Sequence, residues 1–262
     1  MSGAIARATA ICVVLLAAVT MAQDDAARRQ LMPTGKLRVG LNYGNQLLVG
    51  RDRAQPQGVA IDLARELARR LGTDPVFVGY ATPGEVTEGV GKDWDIAFVA
   101  ADPDRAQAIA FTPPYLEIDA TYLVPASSSV RTVGDMDRAG AKIATGATSA
   151  YTLVLKRDLK QAQLVLLAND AAVAAFQGGT VDAIAGLRFA LLQTSSRIAG
   201  SRVLSDNFTR AQQAVAVPKA NATALAYLST FVADVKRSGL VAGAIEKTGL
   251  TGASVAPISG SK

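Results

Sequence analysis

The chain has 262 residues, enough for one large domain or two small ones. Half of it is hydrophobic and 19% is charged, which excludes a disordered chain and leaves material for a real core. The formal charge of +5 is scattered, with no Lys/Arg stripe interleaved with aromatics, so nucleic acid is not an expected partner.

Residues 1–22, MSGAIARATAICVVLLAAVTMA, differ in kind from the rest. Arg7 precedes an apolar stretch from Ala8 to Val19, and small residues follow. That is the pattern of a secretory signal peptide, with cleavage expected after Ala22 and with Thr20 and Ala22 at the −3 and −1 positions. The apolar stretch falls short of the ~20 residues of a spanning helix. An uncleaved anchor is the alternative. A periplasmic location is expected. The single cysteine, Cys12, lies inside this segment, and the chain has no histidine. The mature chain thus lacks thiol chemistry and disulfides, the commonest metal ligand and the commonest general base. No metal, no cofactor and no catalytic residue are expected.

Residues 23–35 read as a polar leader. Lys36 to Leu41 alternates and predicts a strand, with Asn42-Tyr-Gly-Asn45 as the turn at its end. Gly58 to Ile61 reads as a link, and a helix follows Asp62. Leu63, Leu67 and Leu71 lie four apart on one face, and Gly72 closes it. Pro75 to Val78 predicts a strand. Residues 82–90 predict a short helix, with Pro83 early and Glu85 in the first turn. Asp95 to Val99 reads as a strand apolar on both faces, as in a parallel sheet covered on both sides. The first hundred residues therefore alternate strand and helix.

Tyr122 to Val124 is a further strand, followed by a Ser- and Pro-rich linker. A second alternation begins at the strand 142–144 and the loop Gly146–Ser149. Helix 150–159, strand 164–167, helix 170–177 capped by Asn169, strand 181–184 and helix 189–198 follow. Ala214 to Val217 is a strand ended by Pro218, and helices 222–236 and 240–247 close the alternation. The tail, residues 251–262, is rich in Gly, Ser and Pro and is expected to be flexible.

In open α/β sheets, ligands sit outside the carboxyl ends of strands. The strand-end loops here are 42–45, 100–105, 146–149 and 186–188. Two facing lobes bring them into one cleft.

Seven stretches, in order and spacing, carry a resemblance. They are GKLRVGLN (35–42), GVAIDLARELARRLG (58–72), WDIAF (94–98), DRAQAIAFTPPYL (104–116), AKIATGATS (141–149), FQGGTVDAIAG (176–186) and RSGLVAGAIEKTGL (237–250). On these the chain resembles the family 3 extracellular solute-binding proteins, the periplasmic receptors of polar amino-acid ABC importers. The resemblance implies an α/β, two-lobed Venus-flytrap fold, each lobe a mostly parallel sheet flanked by helices. Lobe 1 takes residues 36–121 plus 218–250, lobe 2 takes 126–212, and hinge strands lie at 122–125 and 213–217. It also implies a monomer without chemistry of its own, which captures a small carboxylate-bearing solute and delivers it to an ABC permease at the inner membrane.

The resemblance assigns the site. Arg105 matches the family's arginine for the ligand carboxylate, a role that suits the planar two-donor fork of a guanidinium. A surface arginine paired with Asp102 or Asp104 is the alternative. Thr148, with Ser149 beside it, maps to the loop that supplies donors to the same carboxylate. Asn42, Tyr43 and Asn45 stand where the family places side-chain contacts, with Phe98 on the neighbouring strand, although NYGN is also good turn chemistry. Two positions depart from the pattern. Ala100 stands where the family has Ser or Thr. Leu187 stands where amino-acid binders carry the acid that holds the ammonium, with Arg188 next to it. If Arg188 faces the cleft, a ligand with two acidic groups or none of the usual ammonium is expected; if it faces solvent, it is an ordinary helix-flanking charge. The alternative function is a periplasmic dehydratase acting on prephenate or arogenate. Its acid would have to come from Asp102 or Asp104, beside the Arg105 loop.

Overall fold

The structure is a computed structural model that describes residues 23–167, 169–249 and 251–258. The expected signal peptide, residues 1–22, lies outside the described residues. Among the described residues no helix is long and apolar enough to cross a membrane.

The stretch read as a polar leader is instead a packed helix, α1 (residues 23–31). Ala27 and Leu31, one turn apart, are buried, and the Gln30 carboxamide oxygen accepts the backbone N–H of Ala224 at 2.9 Å. Then come β1 (Leu37–Asn42), α2 (Gln46–Val49) and α3 (Val59–Leu71). The α3 helix begins three residues ahead of Asp62, the expected start. Its N-cap, Gly58, has φ 136°, and a Cβ there would lie 2.6 Å from the Leu48 carbonyl oxygen. Only glycine fits that approach. The expected leucine face is buried, and Gly72 closes the helix in the left-handed conformation.

The chain continues through β2 (Pro75–Tyr80), α4 (Pro83–Glu88), β3 (Ile96–Ala100), a single 3₁₀ turn at Arg105–Gln107, β4 (Ile109–Phe111) and β5 (Leu116–Pro125). The second unit holds β6 (Lys142–Thr145), α5 (Ala150–Asp158), β7 (Gln163–Leu166), α6 (Asn169–Gln177), β8 (Ala183–Leu187), α7 (Arg188–Ser195) and β9 (Ser201–Val203). Then follow β10 (Thr209–Pro218), α8 (Ala222–Arg237), α9 (Leu240–Thr248) and β11 (Ala253–Val255).

The main sheet runs β2-β1-β3-β10-β5-β8-β6-β7. The triplets β2-β1-β3 and β7-β6-β8 are parallel, each centred on its first strand, and the strands between them are antiparallel. Two parallel α/β lobes thus share an antiparallel pair. Period-two alternation explains why the inner strands look apolar throughout. On β3, Ile96 and Phe98 enter one core while Ala97 and Val99 enter another with Trp94. On β5, Tyr122 and Val124 face one layer and Leu123 the other.

The strands β5 and β10, which contain the segments 122–125 and 213–217 expected as the hinge, are ten residues each and pair with one another from Leu116↔Gln213 to Ala120↔Thr209. Beyond that stretch β5 runs onto β8 and β9, and β10 runs onto β3 and β4. The tail departs from its expectation over the described residues. Its strand β11 pairs antiparallel with β5, Ala256 is buried, and the Lys236 ammonium donates to the carbonyls of Pro114 (3.0 Å) and Pro257 (2.8 Å). Composition suggested fraying, but main-chain pairing at a free sheet edge outweighs it.

Candidate functional site

The strand-end loops of both lobes enclose a cleft of about 390 Å³. The end of β1 contributes Asn42, Gly44 and Asn45, and the end of β2 contributes Ala81, Thr82 and Pro83. Ala100 and Arg105 come from the end of β3. The facing lobe supplies residues 146–151, Leu166, Leu167 and Leu187, and β10 adds Ala211 and Gln213. These are the carboxyl ends of parallel strands, where the sequence analysis located the site.

Arg105 is 5% exposed and lies at the junction of the lobes. One terminal nitrogen donates to the Ala100 carbonyl and the other to the Thr148 carbonyl of the opposite lobe, both at 2.6 Å. Burial lowers the pKa of the guanidinium, and the charges of Asp102 and Asp104 oppose that shift. A guanidinium has five N–H donors, so three remain beyond these two bonds. Arg105 is therefore not the surface residue paired with Asp102 or Asp104 that was the alternative. Asp102 is buried and bonded elsewhere. Its Oδ1 accepts the Asp104 N–H at 2.9 Å, and its Oδ2 pairs at 3.2 Å with Arg157 of α5, across the cleft.

Ser149 is the N-cap residue of α5, with extended backbone and no side-chain cap. The first-turn N–H groups and the positive end of that helix border the cleft. Burial raises the pKa of the Tyr151 phenol, and a hydrogen bond with Ser149 opposes the shift. Asn42 Oδ1 accepts the Gly44 N–H at 3.0 Å, the turn chemistry that NYGN suggested. Asn45 is 4% exposed, and its Oδ1 has no hydrogen-bond partner.

Three expected residues do not join the cleft. The Tyr43 ring packs against Gly79, with the Arg53 guanidinium 4.9 Å above it. Phe98 is fully buried, edge-to-face with Tyr115 at 5.7 Å, because alternation along β3 turns it into the core. Arg188 faces neither the cleft nor solvent. Its guanidinium donates to the carbonyls of Leu204 (2.7 Å), Ser205 (3.0 Å) and Asp206 (2.8 Å) and to Asp119 (3.3 Å). It ties the start of α7 to the segment before β10.

Sequence reasoning missed Thr82, Tyr151 and Gln213. Gln213 had a signal: in TRAQQAVAV it shares the period-two face of Ala211, and both line the cleft. A larger cavity of about 920 Å³, bordered by Arg51, Asp62, Arg65 and Lys247, shares no lining residue with the cleft. Among the described residues no cluster of three His, Cys, Asp or Glu is placed to hold a metal ion.

The two lobes, the paired crossing strands and the cleft between strand ends define a two-lobed binding protein. The chain belongs to the bacterial extracellular solute-binding proteins, family 3, whose model matches residues 37–249. A search of curated proteins returned no match. Among solved structures, the ancestral amino acid-binding protein AncCDT-1, a precursor of cyclohexadienyl dehydratase, is similar at 22% identity. Its TM-score is 0.71, over 84% of this chain and 97% of that one. An ABC-transporter substrate-binding protein from Streptococcus pneumoniae bound to L-arginine is 23% identical, with TM-score 0.69 over 86% and 99% of the two chains. A putative ABC-transporter binding component from Wolinella succinogenes complexed with lysine is 23% identical, with TM-score 0.71 over 82% and 95%. At these identities the likeness concerns the fold.

Proposed function

We propose that the chain is the periplasmic binding component of an ABC importer, capturing a small carboxylate-bearing solute between its lobes. The single observation that carries this is Arg105, a buried guanidinium at the lobe junction with donors to spare. A carboxylate meets it as a two-donor fork. The start of α5, at Thr148 and Ser149, adds main-chain N–H groups and a positive helix end on the opposite wall. Lobe closure brings these together around the ligand, and the permease is the receiving partner. The family membership and the fold of ABC-transporter binding proteins support the importer role.

The dehydratase alternative requires an acid in the cleft. Asp102 is engaged by Arg157, and neither Asp102 nor Asp104 lines the cleft. That favours binding without chemistry.

The test is thermal melting of residues 23–262, unfolded and refolded to strip bound ligand, against carboxylic acids and their methyl esters. A ligand at ~100 times its Kd adds about 2.7 kcal/mol to stability, a shift of a few degrees. Acids are expected to shift the melt and esters not, and Arg105→Met is expected to abolish the shift. Equal shifts by acids and esters would count against the proposal.

A further inference from the structure

We infer that the cleft selects a monocarboxylate whose second polar group is a neutral donor, a hydroxyl or an amide, rather than an ammonium. This rests on the binding role proposed above and narrows it to a class of solute.

The first observation is charge. Among the described residues that line the cleft, Arg105 is the one charged side chain. An amino acid placed with its carboxylate on Arg105 would bring its ammonium into a cleft whose described lining offers no acidic side chain. An ammonium withdrawn from water without a counter-charge is strongly disfavoured. The second is Asn45, whose buried Oδ1 lacks a donor at the cleft wall. A buried acceptor left unpaired is unfavourable, and a ligand O–H or N–H relieves it. The third is Arg188. Its bonds to three carbonyls and Asp119 remove the second cation that a dianion would need.

One carboxylate lies close by. An adjoining cavity of about 310 Å³ shares Gly44, Gly146, Tyr151, Leu167 and Leu187 with the cleft and carries Asp170. Arg197 borders the same cavity, so that space is neutral overall rather than anionic. The cleft itself is at the small end of ligand pockets and suits a compact acid.

The experiment is isothermal titration of the refolded residues 23–262 with matched trios of several sizes. Each trio holds an L-amino acid, the 2-hydroxy acid of the same side chain, and the acid with hydrogen at that carbon: leucine, 2-hydroxy-4-methylpentanoate and 4-methylpentanoate, for example. In the best-fitting trio the hydroxy acid is expected to bind tightest. The unsubstituted acid is expected to be roughly fivefold weaker, the worth of one hydrogen bond. The amino acid is expected to be roughly a hundredfold weaker or undetectable. Asn45→Ala is expected to narrow or close the gap between the hydroxy acid and the unsubstituted acid. An amino acid that binds as tightly as its hydroxy acid overturns the inference and leaves the binding role standing. If Asp170→Asn then abolishes that binding, the ammonium is held from the adjoining cavity. Failure of every acid, with the esters binding, overturns the carboxylate-binding role itself and the inference with it.

Discussion

Gly84 offers a way to separate lobe closure from folding. It sits in α4 of one lobe, opposite Thr148 of the other. A Cβ at Gly84 would lie 2.8 Å from Thr148 Cγ2, 3.1 Å from its Cβ and 3.3 Å from its Oγ1. Carbon pairs are comfortable at ~3.5–4.0 Å, so Gly84→Ala forces the lobes apart or the threonine aside. Overpacking of this kind costs about 1–3 kcal/mol. The cost falls only where the lobes meet, so it weakens ligand binding by roughly 5- to 150-fold. Within α4 the same change is neutral or stabilising by up to about 1 kcal/mol, because alanine favours helix over glycine. The two effects have opposite signs. Titration calorimetry gives the affinity, a ligand-free melt gives the stability, and small-angle scattering gives the radius. The expected result is weaker binding, an unchanged or higher melting temperature and a larger radius. Unchanged affinity would refute the reasoning, and a lower ligand-free melting temperature would show that the alanine damages the fold instead.

Asp102→Asn keeps the Oδ1 acceptor for Asp104 but removes the charge facing Arg157, so affinity is expected to fall several-fold at low salt, with the gap from wild type shrinking in 1 M salt. Arg188→Met removes one donor from each of three carbonyls and from Asp119, which keeps Arg210 and Asn207. It is expected to lower stability by about 2 kcal/mol or more in urea unfolding, while ligand affinity changes less than twofold. A tenfold affinity loss at unchanged stability would return Arg188 to the site. On α3, hydrogen bonds from Arg69 and then Arg70 hold the Glu66 carboxyl down at about 2. A depressed carboxyl stabilises above its unfolded pKa of 4.5 and loses that contribution as pH falls toward 2. Glu66→Gln is therefore expected to flatten the acid side of the stability profile between those values, by about 1 kcal/mol for two surface pairs. An unchanged acid limb in chemical unfolding would show that the pairs contribute nothing.

How much was legible in the sequence differs by element. The leucine face of α3, the apolar strand expected at 95–99 and found at 96–100, and the alternation of strand and helix are local periodicities, and burial follows them directly. The strand-end rule then put Asn42, Asn45, Ala100, Arg105, Thr148 and Ser149 at one cleft, where they lie. Composition misled at both ends. Residues 23–31 looked polar, yet two positions a turn apart are enough to seat a helix on α8. Residues 253–255 looked frayed, yet their pairing partner on β5 is more than a hundred positions away in sequence.

The sequence by itself determined the two α/β units, the order of their strands along the chain and the presence of one arginine after β3. Those depend on spacing of two and 3.6 residues, which neighbours in the chain set. Tertiary structure alone decided which side chains converge. Strand alternation turns Phe98 inward and Gln213 toward the cleft. Long-range packing gives Arg188 to the carbonyls of 204–206 and Asp102 to Arg157, while Arg105 spans both lobes. The reason is physical. A buried charge is placed by whatever donors and acceptors lie around it in space, and those come from segments that no local pattern connects.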